Sequence, residues 1–164
     1  MMEYEIVEAE VGNVQWSAAQ ELAASLGQSR WLNFRADWYT SNHLLVASMK
    51  NQLVGFLRFV VQPIGLDMDC PAVVVNNVAL AEAKILAFGV AESWRRHGIG
   101  RALQVAAIER ARMLDCYQVR SHSGGEYAAN HHLKLELGFA IHPILRGEDQ
   151  HGCYFLLPLR KSVS

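Results

Sequence analysis

The chain has 164 residues, 51% of them hydrophobic and 19% charged, with a formal net charge of −1. That is enough chain for a single domain with one sizeable core, and too little positive charge for a global field that holds nucleic acid or an anionic membrane. The acidic start MMEYEIVEAE is unlike the basic and then apolar start of a signal peptide, and charges interrupt every apolar stretch before it could span a bilayer, so a cytoplasmic protein without a membrane partner is expected.

In chain order, residues 3–9 alternate Tyr4 and Ile6 with Glu3 and Glu5 and read as a first strand. Residues 14–26 carry Ala18, Ala19, Leu22, Ala23 and Leu26 at helical spacing, and Gly27 is a C-terminal stop. Residues 31–38 place Trp31, Phe34 and Trp38 on an expected second helix, either packed on the core or lining a substrate cleft. Residues 44–49 and 53–61 read as strands joined by Lys50-Asn51-Gln52. The prolines and aspartates of PIGLDMDCP make a loop, and residues 73–75 a short strand or extension. KILAFGVA, residues 84–91, is apolar enough to be central in a sheet. A helix over 99–114, a strand over 118–122 and a turn at Ser123-Gly124-Gly125 follow, then a helix over 126–137 stopped by Gly138. Strands over 139–145 and 153–159 close the chain around RGEDQHG. This order predicts an α/β (α+β) domain over residues 1–164, with a mixed, mostly antiparallel sheet of about six to seven strands flanked by about four helices.

Cys70, Cys116 and Cys153 are odd in number and widely spaced, which argues against a disulfide framework or a structural zinc site. Of the seven histidines only His131 and His132 are adjacent. Neighbours on a helix point about 100° apart, so no metal site is expected.

The chemistry concentrates in VAESWRRHGIGRAL, residues 90–103. A helix that begins near Ile99 leaves its first N–H groups without partners, and these, with the positive end of the helix dipole, favour an anion. Gly98 and Gly100 present no Cβ, so a bulky phosphate can approach the backbone. Arg95, Arg96, His97 and Arg101 surround the place with donors and charge, which suits a diphosphate better than one carboxylate. The dinucleotide fingerprint fails because Leu103 stands where it needs a glycine, and the P-loop fails because Arg101 and Ala102 follow Gly100. In the following helix Ile99, Ala102, Leu103, Ala106, Ala107, Met113 and Leu114 fall within one arc of about 140°, with Arg110 as a discordant member. The alternative is a tight turn beside a solvated basic face.

RRHGIG, residues 95–100, resembles the [QR]-x-x-G-x-[GA] signature of the GNAT superfamily of N-acetyltransferases. ILAFGVAESW resembles the family's fourth strand and LKLELGF, residues 133–139, its LYEKLGF ending. The resemblance implies that acetyl-CoA is bound as cosubstrate in a V-shaped opening between strands 84–91 and 118–122. It places the pyrophosphate on the N–H groups of Arg96, His97, Gly98, Ile99, Gly100 and Arg101, beside Arg95. The pantetheine arm would pair with the backbone of Phe88 and Val90 like an added strand, near Asn130. A bulge in that strand would turn donors toward the thioester carbonyl.

The implied reaction is direct attack of a small-molecule or peptide amine on the thioester in a ternary complex. Glu82, Glu92 and His122 are the candidate bases. The tyrosine that usually assists the leaving thiolate is replaced here by Lys134, which serves as acid or cation if its pKa is lowered, unless Tyr127 takes the role. Residues 31–38, 63–71 and 146–151 border the acceptor side, where Asp67 and Asp69 would attract a cationic amine. Cys116 and Cys153 raise a ping-pong route, with buried structural thiols the stronger reading. Many relatives form dimers through C-terminal strands, and the resemblance leaves a homodimer through residues 153–159 open. The alternative function is a non-catalytic acyl-CoA-binding regulatory module. A nucleic-acid binder is disfavoured by the near-neutral charge.

Overall fold

The computed structural model describes residues 3–123, 128–143 and 152–159. Tyr127 and residues 146–151 lie outside the described residues. Strand β1 (Glu5–Ala9) leads to helix α1 (Val14–Ser25), which Asn13 caps by accepting the Gln15 N–H at 3.0 Å. Gly27, at φ +70°, ends that helix in the left-handed region. Helix α2 (Ser29–Asn33) is a short turn. The longer helix expected over 31–38 stops at Asn33, because only Leu32 finds the core and the aromatics that follow stay partly exposed.

Strands β2 (Ser41–Met49) and β3 (Gln52–Pro63) form a tight hairpin. Lys50 and Asn51 both take positive φ, 49° and 65°, which matches the twist of the two strands. The loop after β3 holds a 3-10 turn at Leu66–Met68 and a small hairpin of β4 (Val74–Val75) and β5 (Val78–Ala79). That hairpin was not expected; Asn76 and Asn77 turn it, again with both φ positive. Next come β6 (Ala81–Val90), α3 (Ile99–Met113), β7 (Gln118–Ser123), α4 (Ala128–Glu136), β8 (Ala140–Pro143) and β9 (Cys153–Pro158).

The main sheet has seven strands in the order β1-β2-β3-β6-β7-β9-β8. All neighbours are antiparallel except β6 and β7. One face packs on α3: Ile85, Val119 and Phe155 meet Ile99, Leu103, Ala107 and Ala111. The other packs on α1 and α2: Leu44, Val46, Phe56 and Ala87 meet Ala19, Ala23 and Leu32. The buried stripe of α3 is rotated from the expected arc. Gln104, Ile108 and Ala111 point inward, whereas Met113 is 76% exposed. Arg110 lies at the edge of the stripe, paired with Glu8 at 2.8 Å. Strand β9 has partners on both sides, so the free edge at this end of the sheet belongs to β8. Residues 153–158, the strand expected to take part in a homodimer if one forms, thus lie second from that end of the sheet.

Candidate functional site

The parallel strands β6 and β7 pair only from Glu82↔Gln118 to Ile85↔Ser121. Beyond that point β6 stays with β3 and β7 stays with β9, and the two strands part. The parting coincides with an irregularity in β6. Arg58 pairs with Ala87 and Phe59 with Ile85, so Leu86 is an extra, bulged residue.

At the mouth of the opening, a 3-10 turn at Glu92–Trp94 leads into α3. Arg96 takes φ +65° and Gly98, the N-cap residue, takes φ +81° with no side chain capping the helix. The first N–H groups of α3 therefore have no intrahelical acceptor. Arg95, Arg96 and His97 are exposed around them. Arg95 Nε donates to the Val90 carbonyl at 3.1 Å, and Arg101 lies 3.7 Å from Glu136. Ile99 is buried in the core, so it offers the mouth its backbone alone. The two glycines divide the work. A Cβ on Gly98 would meet only Tyr4 Oη, at an ordinary contact distance of 4.0 Å, so glycine is needed there for its positive φ. A Cβ on Gly100 would lie 3.2 Å from Phe88 Cζ, so that glycine lets α3 sit close on β6.

Along the open edge of β6, Phe88 is bonded to a side chain. Gln28 Nε2 donates to the Phe88 carbonyl at 2.6 Å, and the Phe88 N–H donates to Gln28 Oε1 at 2.9 Å. Sequence reading missed Gln28, since sixty positions separate the partners and no motif links them. Gly89 makes the approach feasible. A Cβ there would stand 2.5 Å from Leu26 Cδ1, so the missing side chain admits Leu26 and the turn that carries Gln28.

Deeper in, α4 supplies Lys134, which is 1% exposed. Its Nζ donates to Ser121 Oγ at 2.5 Å and lies 5.1 Å from the Phe155 ring centre. Among the described residues no carboxylate pairs with it. Burial pushes its pKa down to about 8. One turn before it, Asn130 Oδ1 is buried without a partner. On α3, one turn after Gly100, both amide atoms of the fully buried Gln104 also lack partners. Buried polar atoms without partners are uncommon and suit a ligand that carries amides of its own.

At the closed end, Glu82 is 0% exposed. Arg120 grips it with Nε at 3.0 Å and Nη2 at 2.9 Å, and Gln62 and Gln118 each donate to it at 2.9 Å. Asp67 joins the cluster by binding Arg120 and, at 2.6 Å, Lys84. Burial pushes the Asp67 carboxyl up, but these two cations outweigh it and hold the group below its ordinary range. Asp67 thus gives Oδ2 to two internal cations and buries Oδ1 without a partner, and it is not the exposed acid expected to draw in a cationic amine. Glu92 is exposed in the turn before Arg95. His122 is exposed on β7 one residue past the last β6 pair, its ring 5.5 Å from Tyr154. Trp31, Phe34, Tyr39 and Trp38 form a chain of ring contacts on the α2 side, the first, second and last being 38%, 36% and 37% exposed. Cys116 is buried in the larger core and Cys153 is half-buried beside it, neither in a disulfide. Among the described residues no group of three His, Cys, Asp or Glu side chains could hold a metal, and no helix is long and apolar enough to cross a membrane.

The mixed, mostly antiparallel sheet with one parallel strand pair that splays at a bulge, and a bare helix N-terminus at its mouth, defines the class of α/β fold. Residues 11–139 match the acetyltransferase (GNAT) family, and the chain belongs to it. Among solved structures, Arabidopsis thaliana NAA60 in complex with acetyl-CoA is similar with TM-score 0.69 at 14% identity, over 94% of this chain and 100% of that one. The ribosomal-protein-S18-alanine N-acetyltransferase of Escherichia coli gives 0.64 at 17%, over 98% and 97%. PaiA N-acetyltransferase of Thermoplasma acidophilum in complex with coenzyme A gives 0.66 at 12%, over 96% and 100%. No curated protein matches the sequence.

Proposed function

We propose that the protein is an acetyl-CoA-dependent N-acetyltransferase that acts on a primary amine of a small molecule or peptide by direct attack in a ternary complex. The observation that carries this reading is the opening itself: a bulged strand that has parted from β7 leads from a bare, arginine-flanked helix N-terminus to a buried amine. Family membership and the acetyl-CoA and CoA complexes among its structural neighbours support it. Acetyl-CoA supplies an acyl group already activated as a thioester.

The chain's own residues divide the remaining tasks. The N–H groups from Arg96 to Arg101 and the side chains of Arg95 and Arg96 hold the diphosphate. The backbone of Phe88 and Val90, with Gln104 and Asn130, holds the amide-bearing arm. Consecutive strand residues face opposite sides of a sheet, so His122 and the Ser121 that holds Lys134 address the opening from its two faces. His122 takes the proton from the incoming amine. Lys134 gives one to the departing thiolate, and its pKa of about 8 lies close to that of an ordinary thiol, about 8.5, which makes the transfer nearly balanced. Glu82 is left out because its oxygens are committed to Arg120, Gln62 and Gln118. Glu92 is left out because it stands at the diphosphate end.

Calorimetry with acetyl-CoA, followed by thiol release across a panel of amines, tests the reading. Wild-type protein is expected to bind and to turn over at least one amine. Arg96→Glu is expected to weaken acetyl-CoA by about tenfold or more, since a carboxylate replaces a phosphate partner. Binding without turnover on any amine would favour a regulatory acyl-CoA-binding module, and unchanged affinity in Arg96→Glu would count against the diphosphate assignment.

A further inference from the structure

We propose that Gln28 holds the open edge of β6 as an internal stand-in for the acyl-pantetheine arm, and that the arm must displace it to bind. The proposal rests on the acetyl-CoA reading above. Past the bulge at Leu86, Phe88 directs both its N–H and its carbonyl away from β3 and toward the opening that β7 has left. Both groups are occupied by one carboxamide, at 2.9 and 2.6 Å. A backbone N–H makes one good hydrogen bond at a time, so Gln28 Oε1 and a carbonyl of an incoming ligand compete for the same donor. The next residue that faces the edge, Val90, has its carbonyl covered by Arg95 Nε at 3.1 Å. Side chains thus satisfy the edge as a neighbouring strand would.

The position of Gln28 is built into the fold. Leu26 sits against the bare Cα of Gly89, and Gln28 follows two residues later at the N-cap position of α2. Its side chain makes no capping bond to that helix, so its polar atoms are given over to Phe88. An uncovered strand edge invites pairing with other chains, and the carboxamide closes it without burying a charge. The same contact sets a threshold for the arm, which gains the Phe88 bonds only by breaking those of Gln28.

Removing the carboxamide should therefore tighten the arm's binding and leave the nucleotide end unaffected. Calorimetry on the full chain would compare acetyl-CoA with adenosine 3′,5′-bisphosphate, which lacks the arm, in wild type, Gln28→Ala and the volume-matched Gln28→Met. The expected result is an acetyl-CoA Kd lowered by about threefold to tenfold in both variants, the scale of one or two neutral hydrogen bonds no longer forfeited, with the bisphosphate Kd within about twofold of wild type. An acetyl-CoA Kd that is equal or weaker in a folded variant overturns the stand-in role while leaving acetyl-CoA binding by wild type in place. An equal gain for both ligands overturns it too, because the effect would not run through the arm. Wild-type protein that binds neither ligand overturns the acetyl-CoA reading, and this proposal with it.

Discussion

Lys134 is costly to the fold, and the same burial suits it to the role proposed for it in the reaction. Its amine is buried beside Ser121 and Phe155 with no carboxylate partner among the described residues, and it loses its proton near pH 8. In the unfolded chain a lysine keeps its proton up to about pH 10.4. Between those values the unfolded chain binds more protons than the folded one, so stability should rise with pH from about 8 to about 10.4 and be lowest, and flat with respect to this group, below 8. The full span corresponds to roughly 3 kcal/mol. Lys134→Met is expected to raise the melting temperature at pH 7 and to abolish most of that alkaline gain, as thermal unfolding across pH would show. As a proton donor Lys134 predicts the opposite trend in rate, with kcat falling above pH 8. Lys134→Tyr should keep turnover equal or higher and move the falling limb up by one unit or more. A limb that stays at pH 8 would mean another group supplies the proton.

At the scale of the element, the start of α3 carries the proposed diphosphate site. The sequence pattern placed the strand, the glycines and the helix start where the structure has them, and the two glycines there do different things. Gly98→Ala forces a Cβ onto φ +81° and should cost about 1 kcal/mol while loosening the first turn, with weaker acetyl-CoA binding. Gly100→Ala brings a Cβ to 3.2 Å from a ring carbon that can shift by a few tenths of an ångström. It also gains the better helix propensity of alanine, about 1 kcal/mol, and should be neutral or stabilising. Chemical denaturation of the two variants, with acetyl-CoA calorimetry beside it, separates the roles. A charged side chain at Gly98 would mix backbone strain with charge repulsion, so Arg96→Glu is the cleaner probe of the diphosphate.

Across the whole molecule, the opening exists because one end of the β6–β7 pair is clamped. Glu82 and Lys84 on β6, Gln118 and Arg120 on β7, Gln62 on β3 and Asp67 in the loop after β3 form one buried network at that end. The other end has the Leu86 bulge and no such ties. Taking the charge from Glu82 leaves a buried guanidinium short of a partner, which costs about 3–5 kcal/mol when one member of such a pair is lost. Glu82→Gln is therefore expected to lower the urea midpoint markedly and to leave the pH profile of kcat unchanged in what remains folded. A lost acidic limb in that profile would reinstate Glu82 as a base.

Local pattern was enough for the order of the helices and the main-sheet strands, the β2–β3 hairpin, the strand–glycine–helix segment and the family motifs, because each element or motif is written in a short run of neighbouring residues. The extent of α2, the β4–β5 hairpin, the inward turn of Gln104 and Ile108 and the outward turn of Met113 followed from what each segment found to pack against. Gln28 on Phe88, Arg120 on Glu82 and Lys134 on Ser121 were decided by tertiary structure alone. Gln28 and Phe88 are 60 positions apart and Arg120 and Glu82 are 38 apart, while Lys134 and Ser121, 13 apart, meet because α4 folds back on β7; a buried polar group takes whichever partner the fold brings within reach, not one its own neighbours in sequence can announce.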